Sequence, residues 1–151
     1  MKKYIRLSLI STMLLALATS CSTFSDDSNS YDQTEPVKDV SGTWVIKTAS
    51  RNGVDITNDM DFSKFQLQLK ADGTYHIENY LPFVVRTDGT WQIDDPKMPL
   101  QIFFTEGNSA APMTVELNYP IVDGVRQLLI THSPGCYSNS YVYKMVKVSN
   151  Q

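Results

Sequence analysis

From Ser41 onward, apolar and polar residues alternate with a period of two, and turn residues cut the alternation at short intervals. A period of two sends successive side chains to opposite faces of a pleated strand, so the stretch reads as a series of half-buried β-strands. Thr43 to Ala49 sets Trp44, Ile46 and Thr48 against Thr43, Val45 and Lys47, then stops at Arg51-Asn52-Gly53, whose glycine accepts positive φ. Val54 to Lys64 interrupts the pattern. Asp59, Asp61 and Ser63 can cap a turn that buries Met60 and Phe62, so one helical turn or an ordered loop is expected there. Phe65, Leu67 and Leu69 alternate with Gln66, Gln68 and Lys70 and lead through Ala71-Asp72-Gly73 into Thr74 to Tyr80, a hairpin. Leu81 to Arg86 and Thr90 to Asp94 flank Thr87-Asp88-Gly89 as a second hairpin, its first arm shortened by Pro82.

After a loop marked by Pro96 and Pro99, further strands are expected over Leu100 to Thr105, Met113 to Tyr119, Val125 to His132 and Asn139 to Val148. Met113, Val115, Leu117 and Tyr119 share one face of their strand. In the last strand Tyr141, Tyr143 and Met145 share a face, and Val142, Val146 and Val148 make the other face apolar as well. Eight or nine short strands in meandering order, with almost no helix, favour an all-β, antiparallel up-and-down β-barrel of about eight strands. Closure removes the edges that an open sheet of this length exposes. A two-sheet β-sandwich is the alternative.

The first forty residues follow another pattern. Lys2, Lys3 and Arg6 precede an apolar run from Leu7 to Ala18, and the small residues Ala18-Thr19-Ser20 stand before Cys21. This is the layout of a secretory signal over residues 1–20, shorter than the ~20 apolar residues a spanning helix needs. With Cys21 directly after the small residues, the segment resembles the lipobox of bacterial lipoproteins. The resemblance implies that the signal is cut before Cys21, that its thiol carries a diacylglyceryl group, and that the new amino terminus is acylated. Three acyl chains, at ~0.8 kcal/mol per buried methylene, anchor a protein almost permanently. Ser22 stands where an aspartate would signal inner-membrane retention, which implies the outer membrane. Asp26 and Asp27 are similar to acidic patches that accompany surface export in Bacteroidetes-type lipoproteins. The expected location is therefore the cell envelope, facing the periplasm or the cell surface. Residues 22–40, rich in Ser, Asp, Asn and Gln, read with Cys21 as a lipidated flexible tether over 21–40, which leaves 41–151 as one barrel domain.

Charge narrows the partners. Losing Lys2, Lys3 and Arg6 with the signal leaves ten of the thirteen basic residues against all sixteen acidic ones. An acidic chain without clustered Lys and Arg is a poor match for nucleic acid. The chain has two cysteines. If lipid takes Cys21, Cys136 has no intramolecular disulfide partner, and the fold depends on its core.

Gly42-Thr43-Trp44 opens the first strand, Gly89-Thr90-Trp91 opens a later one, and Asp72-Gly73-Thr74-Tyr75 lies between them. The Gly-x-Trp of Gly42 and Trp44 resembles the entry motif of lipocalins. Together with the lipobox, the chain is similar to small lipocalin-like lipoproteins of the Bacteroidetes, described mostly as domains of unknown function. That resemblance implies an eight-stranded barrel plugged at one end by Trp44, with a basic residue over its ring; Lys144 and Lys147 are the candidates. Around Gly73 and Gly89 the simpler reading holds: glycine ends a turn and an aromatic starts a strand.

Catalytic signals are sparse. His76 and His132 are the only histidines, and neither has a second ligand at metal-binding spacing. His132 and Cys136 lie four residues apart across Ser133-Pro134-Gly135, a spacing that can bring a thiol to an imidazole or simply form a turn. Asp94 and Asp95 are adjacent, so a strand would point them to opposite faces; they fit the start of the Pro96 loop better than an acid/base pair. No cofactor motif is present. Most aromatics should be core, but Tyr80, Phe83 and Tyr137 stand near turns and are candidates to line an open mouth. The expectation is a non-catalytic monomer, held on the membrane through Cys21, that binds a small apolar ligand or an envelope protein. One alternative is an inhibitor or immunity-type lipoprotein presenting Glu106 to Pro112 and Ser133 to Asn139 to an envelope hydrolase. Another is a structural envelope component with a filled barrel.

Overall fold

The computed structural model describes residues 35–80 and 83–148; the signal segment, Cys21 and the first part of the expected tether lie outside them. Ten strands follow in chain order: β1 (Gly42–Arg51), β2 (Val54–Asp55), β3 (Gln66–Leu69), β4 (Thr74–Glu78), β5 (Gly89–Ile93), β6 (Gln101–Glu106), β7 (Met113–Asn118), β8 (Ile121–Val122), β9 (Val125–His132) and β10 (Tyr141–Lys147). Every pairing is antiparallel. β1, β3, β4, β5, β6, β7, β9 and β10 neighbour one another in that order, and β10 returns to β1. The sheet is therefore a closed eight-stranded barrel, and the two-sheet alternative does not apply. β2 and β8 are short additions on β1 and β9, each made by a two-residue turn with positive φ at both positions: Asn52-Gly53 and Asp123-Gly124.

The segment from Val54 to Lys64 takes the loop form, and the described residues contain no helix. Asp61 accepts the Ser63 N–H at 3.0 Å, and the Phe65 N–H donates to the Phe62 carbonyl at 3.0 Å, so Phe62 folds under the loop and is buried. The second expected hairpin is not formed. β5 pairs directly with β4, Thr74 opposite Thr90 and Tyr75 opposite Gly89, and the described residues between Asn79 and Asp88 are loop. An apolar run there reads as a strand, but its apolar content is spent on burying Phe83 and Val85 in the core. The first strand also departs from strict alternation. Its register with β10 slips between Ile46 and Thr48, so Lys47 is an extra residue and Ala49, not Thr48, points inward. Thr57 supports the residue beyond the bulge, accepting the Ala49 N–H at 2.9 Å.

An eight-stranded ring leaves an interior just wide enough for side chains. Here Trp44, Leu67, Leu69, Tyr75, Ile102, Phe104, Leu117, Leu128, Ile130, Tyr143 and Met145 fill it, each at most 2 % exposed. The rings meet edge-on or tilted: Tyr75 on Phe104 at 5.2 Å, Phe83 on Tyr143 at 5.2 Å and Phe83 on Phe65 at 5.0 Å between centroids.

One end of this stack is shut by Trp44. Its indole N–H donates to the Val40 carbonyl at 3.0 Å, Tyr119 packs edge-on against the ring, and the Lys147 ammonium lies 6.0 Å from its centroid. The packing thus starts before Ser41, the expected domain boundary. Val40 is buried, the Lys38 N–H donates to the Pro96 carbonyl at 2.7 Å, and the Asp39 carbonyl accepts the Tyr119 hydroxyl at 2.7 Å. Gly42 has φ +136°, and a Cβ there would lie 2.1 Å from the Lys147 side chain, so glycine lets the lysine cross over Trp44.

Gly89 is held by closeness rather than by φ: an added Cβ would sit 1.9 Å from the Thr105 carbonyl oxygen on β6. Gly107, two residues past Thr105, has nothing nearer than 3.6 Å. Gly89→Ala is therefore expected to cost about 1–3 kcal/mol in urea unfolding, because β5 and β6 must separate. Gly107→Ala should stay within about 0.5 kcal/mol. Equal effects of the two substitutions would contradict this packing.

Candidate functional site

At the end opposite Trp44 the barrel is cupped. A cavity of about 490 Å³ lies over the core and is lined by Phe83, Arg86, Glu106, Met113, His132 and Tyr141, with Tyr143 in its floor. A second space of about 500 Å³ shares Met113, His132 and Pro134 with it and runs along β7 and the end of β9. Its origin is a splayed seam. The β7–β9 ladder ends at Glu116 opposite Thr131, and Pro134, which has no N–H to donate, follows soon after the end of β9.

The floor depends on Phe83, and Phe83 depends on polar contacts around its loop. The Glu106 carboxylate accepts the N–H groups of Arg86 at 2.7 Å and Thr87 at 3.1 Å, which holds its ionisation below the usual range. Asp88 accepts the Ile77 N–H at 3.1 Å through one oxygen and meets His76 Nδ1 at 2.7 Å through the other. The Phe83 N–H donates to the Tyr80 carbonyl. On the far side, Asn52 and Ser140 exchange two hydrogen bonds at 2.8 Å each, Arg51 donates to Asn139 at 3.0 Å, and its guanidinium lies 5.4 Å from the Tyr141 ring centroid. The wall is built from polar contacts at strand ends, several of them between a side chain and the backbone.

The residues singled out from the sequence are dispersed. Phe83 is buried in the cavity floor. Tyr80 is exposed, and Tyr137 is 91 % exposed; neither lines the cavity. Gly42 and Trp44 meet at the shut end with Lys147, while Lys144 is exposed in the middle of β10 opposite Thr48. His132 lines both spaces and is half buried, which pushes its protonation down. The Cys136 thiol is exposed and sits 3.2 Å from the Ser138 hydroxyl, a contact that lowers its pKa. Of the two, only His132 lines the cavity. Asp94 and Asp95 shape their loop: Asp94 accepts the Leu100 and Gln101 N–H groups, and Asp95 that of Lys97. Among the described residues no three His, Cys, Asp or Glu side chains gather as a metal site. Sequence reading missed Arg86, Glu106, Met113 and Tyr141 as cavity residues, because they come from four separate segments that only closure of the barrel brings together.

Fold and cavity together define a lipocalin-like β-barrel whose architecture is compatible with binding a ligand. The chain belongs to the family described as "Domain of unknown function (DUF5004)", whose model matches residues 18–146. No curated protein and no solved structure matches it.

The His76–Asp88 contact makes the loop under Phe83 sensitive to pH. The bond to Asp88 raises the His76 pKa above its ordinary 6.5, and the same bond lowers that of Asp88 below 3.8. A raised histidine stabilises fully below about 6.5 and loses its contribution as pH rises through the raised value. A lowered aspartate stabilises above about 3.8 and loses its contribution as pH falls through the lowered value. The tie is complete between those limits. His76→Gln is expected to lower the melting temperature relative to wild type at pH 5.5 and to approach wild type at pH 8.5. Melting curves that stay parallel across this range would remove the tie.

Proposed function

We propose that the protein is a lipid-anchored, non-catalytic binding module of the cell envelope that takes a small amphiphilic molecule at the open mouth of its barrel. One observation carries the reading: the interior is packed, while the mouth keeps a cavity of about 490 Å³ with both apolar and polar walls. Tyr143, Phe83 and Met113 offer an apolar floor, and Arg86, Glu106 and His132 stand where a polar group would be held. An apolar molecule threaded along the barrel axis, as the sequence allowed, would have to displace Tyr143, Phe104 and Phe83 together. Anchoring rests on Cys21 and the residues before it. Outer-membrane placement is supported by Ser22 after the cysteine, and the choice between periplasm and cell surface turns on Asp26 and Asp27. The non-catalytic part of the proposal rests on the sequence, which carries no motif for an activated nucleophile or a cofactor.

A second reading, binding of an envelope protein to the rim, is favoured by Tyr137, an almost fully exposed ring on the connection between β9 and β10. Aromatic side chains of this kind often anchor protein interfaces.

Native mass spectrometry of the full chain extracted gently from bacterial membranes separates the two. Mouth binding is expected to give a mass above that of the acylated chain, lost in Met113→Trp, which fills the cavity, and kept in Tyr137→Ala. Recovery of the acylated chain alone, from several extraction conditions, would end the small-molecule reading.

A further inference from the structure

The shut end of the barrel carries an unusual surface. Val37, Met98, Leu100, Ile121, Val122 and Val125 all lie there, each between 40 and 67 % exposed. They come from three segments that the fold joins. The Lys38 N–H on the Pro96 carbonyl sets Val37 beside the Met98 loop, and the Leu117 N–H on the Leu100 carbonyl at 2.8 Å ties that loop to β7. The β8–β9 hairpin then projects Ile121, Val122 and Val125 from the same end. A groove of about 230 Å³ runs between Lys38, Met98, Leu100 and Tyr119.

Polar groups at this end bend the chain so that the apolar groups stand out. Asp94 and Asp95 are occupied by N–H groups of their own loop, which leaves Met98 and Leu100 at its crest. Arg126 donates to the Tyr119 carbonyl at 2.7 Å and lies 4.8 Å from the Tyr119 ring centroid, so it braces the hairpin. Lys38, Lys97, Arg126 and Lys147 are interspersed with Glu35, Asp39, Asp94, Asp95 and Asp123, so the surface has no single sign of charge. Clustered exposed apolar side chains on a soluble barrel mark a contact surface, and mixed charge points to a contact made by apolar burial.

We infer that this end rests on the lipid bilayer, with Met98, Leu100 and the Ile121–Val125 hairpin in the headgroup region and the mouth turned away. The inference rests on the anchoring proposed above. Chain length supplies the occupant: Glu35 enters the barrel at this end, beside Lys38, Met98 and Leu100, and Cys21 lies only fourteen residues earlier. Fully extended, those residues span at most ~50 Å. Because the tether is rooted at the shut end, an acylated Cys21 brings that end closer than the mouth to the surface it has entered, and side chains of this type gain by burial at the acyl boundary. The binding cavity is then presented to the aqueous side.

The test uses the full chain purified from bacterial membranes, with Cys136→Ser, and one nitroxide at Met98→Cys, Ile121→Cys or Tyr137→Cys, in phosphatidylcholine vesicles. Seating predicts that the oxygen-to-nickel-chelate accessibility ratio at positions 98 and 121 is several-fold above that at 137, and unchanged by 0.5 M salt. Equal, aqueous ratios at all three positions overturn it. So does dipolar broadening at 98 and 121 without a gain in oxygen access, which would mean that a second copy covers the patch. The mass of the same sample reads the anchor independently. Acylated Cys21 with aqueous labels keeps the anchor and removes the seating, whereas unmodified Cys21 with raised ratios does the reverse.

Discussion

Closure between β9 and β10 is the constraint on which the rest of the molecule depends. Val142 to Val146 pair with β9 on one side and with β1 on the other, so the last strand joins the two ends of the sheet and leaves no open edge in the ring. An eight-stranded ring has room for a packed set of side chains or for one small ligand, and here buried side chains take the interior. Every inward side chain is thereby committed to its neighbours. The glycines follow from this crowding: Gly89 lets β5 and β6 approach, and Gly42 makes room for Lys147 over Trp44.

With the middle filled, the two ends carry whatever else the barrel does, and they differ. Trp44 shuts one end with an indole hydrogen bond to Val40, and that bond, with those of Lys38 to Pro96 and Tyr119 to Asp39, holds the approach to β1 on the barrel. The other end is roofed by a loop whose Arg86 and Thr87 N–H groups are held by Glu106 and whose Asp88 accepts the Ile77 N–H of β4. Its cavity is open because β7 and β9 part beyond Glu116 and Thr131. A polar, aromatic mouth and an apolar, shut base suit a protein held at a surface by one end and active at the other.

Much of the architecture was legible in the order of residues. Period-two segments such as Gln66 to Leu69 and Met113 to Asn118 state both a strand and its inward face, and meandering order with short turns implies a ring. Three features were not legible, each for a physical reason. The bulge at Lys47 adds one residue to β1, so a strict alternation assigns Thr48 the place that Ala49 takes. Phe83 and Val85 belong to a run that is apolar and β-prone in isolation; only the volume left at the mouth makes them a loop that fills a core. Val40 follows a polar stretch, and nothing local shows that its carbonyl is the acceptor for an indole four residues on. The candidate site was the least legible part. A cavity at strand ends collects Arg86, Glu106, Met113 and Tyr141 from distant segments, and no spacing along the chain records that meeting.

The central claim is that the barrel interior is packed and dry, so that any ligand is confined to the mouth. Tyr75 tests it most directly, because its hydroxyl is buried inside the barrel without a hydrogen-bond partner among the described residues, and burial raises its pKa. An orphaned buried hydroxyl costs about 1–3 kcal/mol, so removing it from a dry core is neutral or favourable. The measurement is the urea-unfolding free energy of Tyr75→Phe in the full chain, beside wild type. The account predicts stability equal to wild type or higher. A loss of about 1 kcal/mol or more would mean that the hydroxyl has a polar partner within the barrel, a bound water or ligand, and would contradict the packed interior.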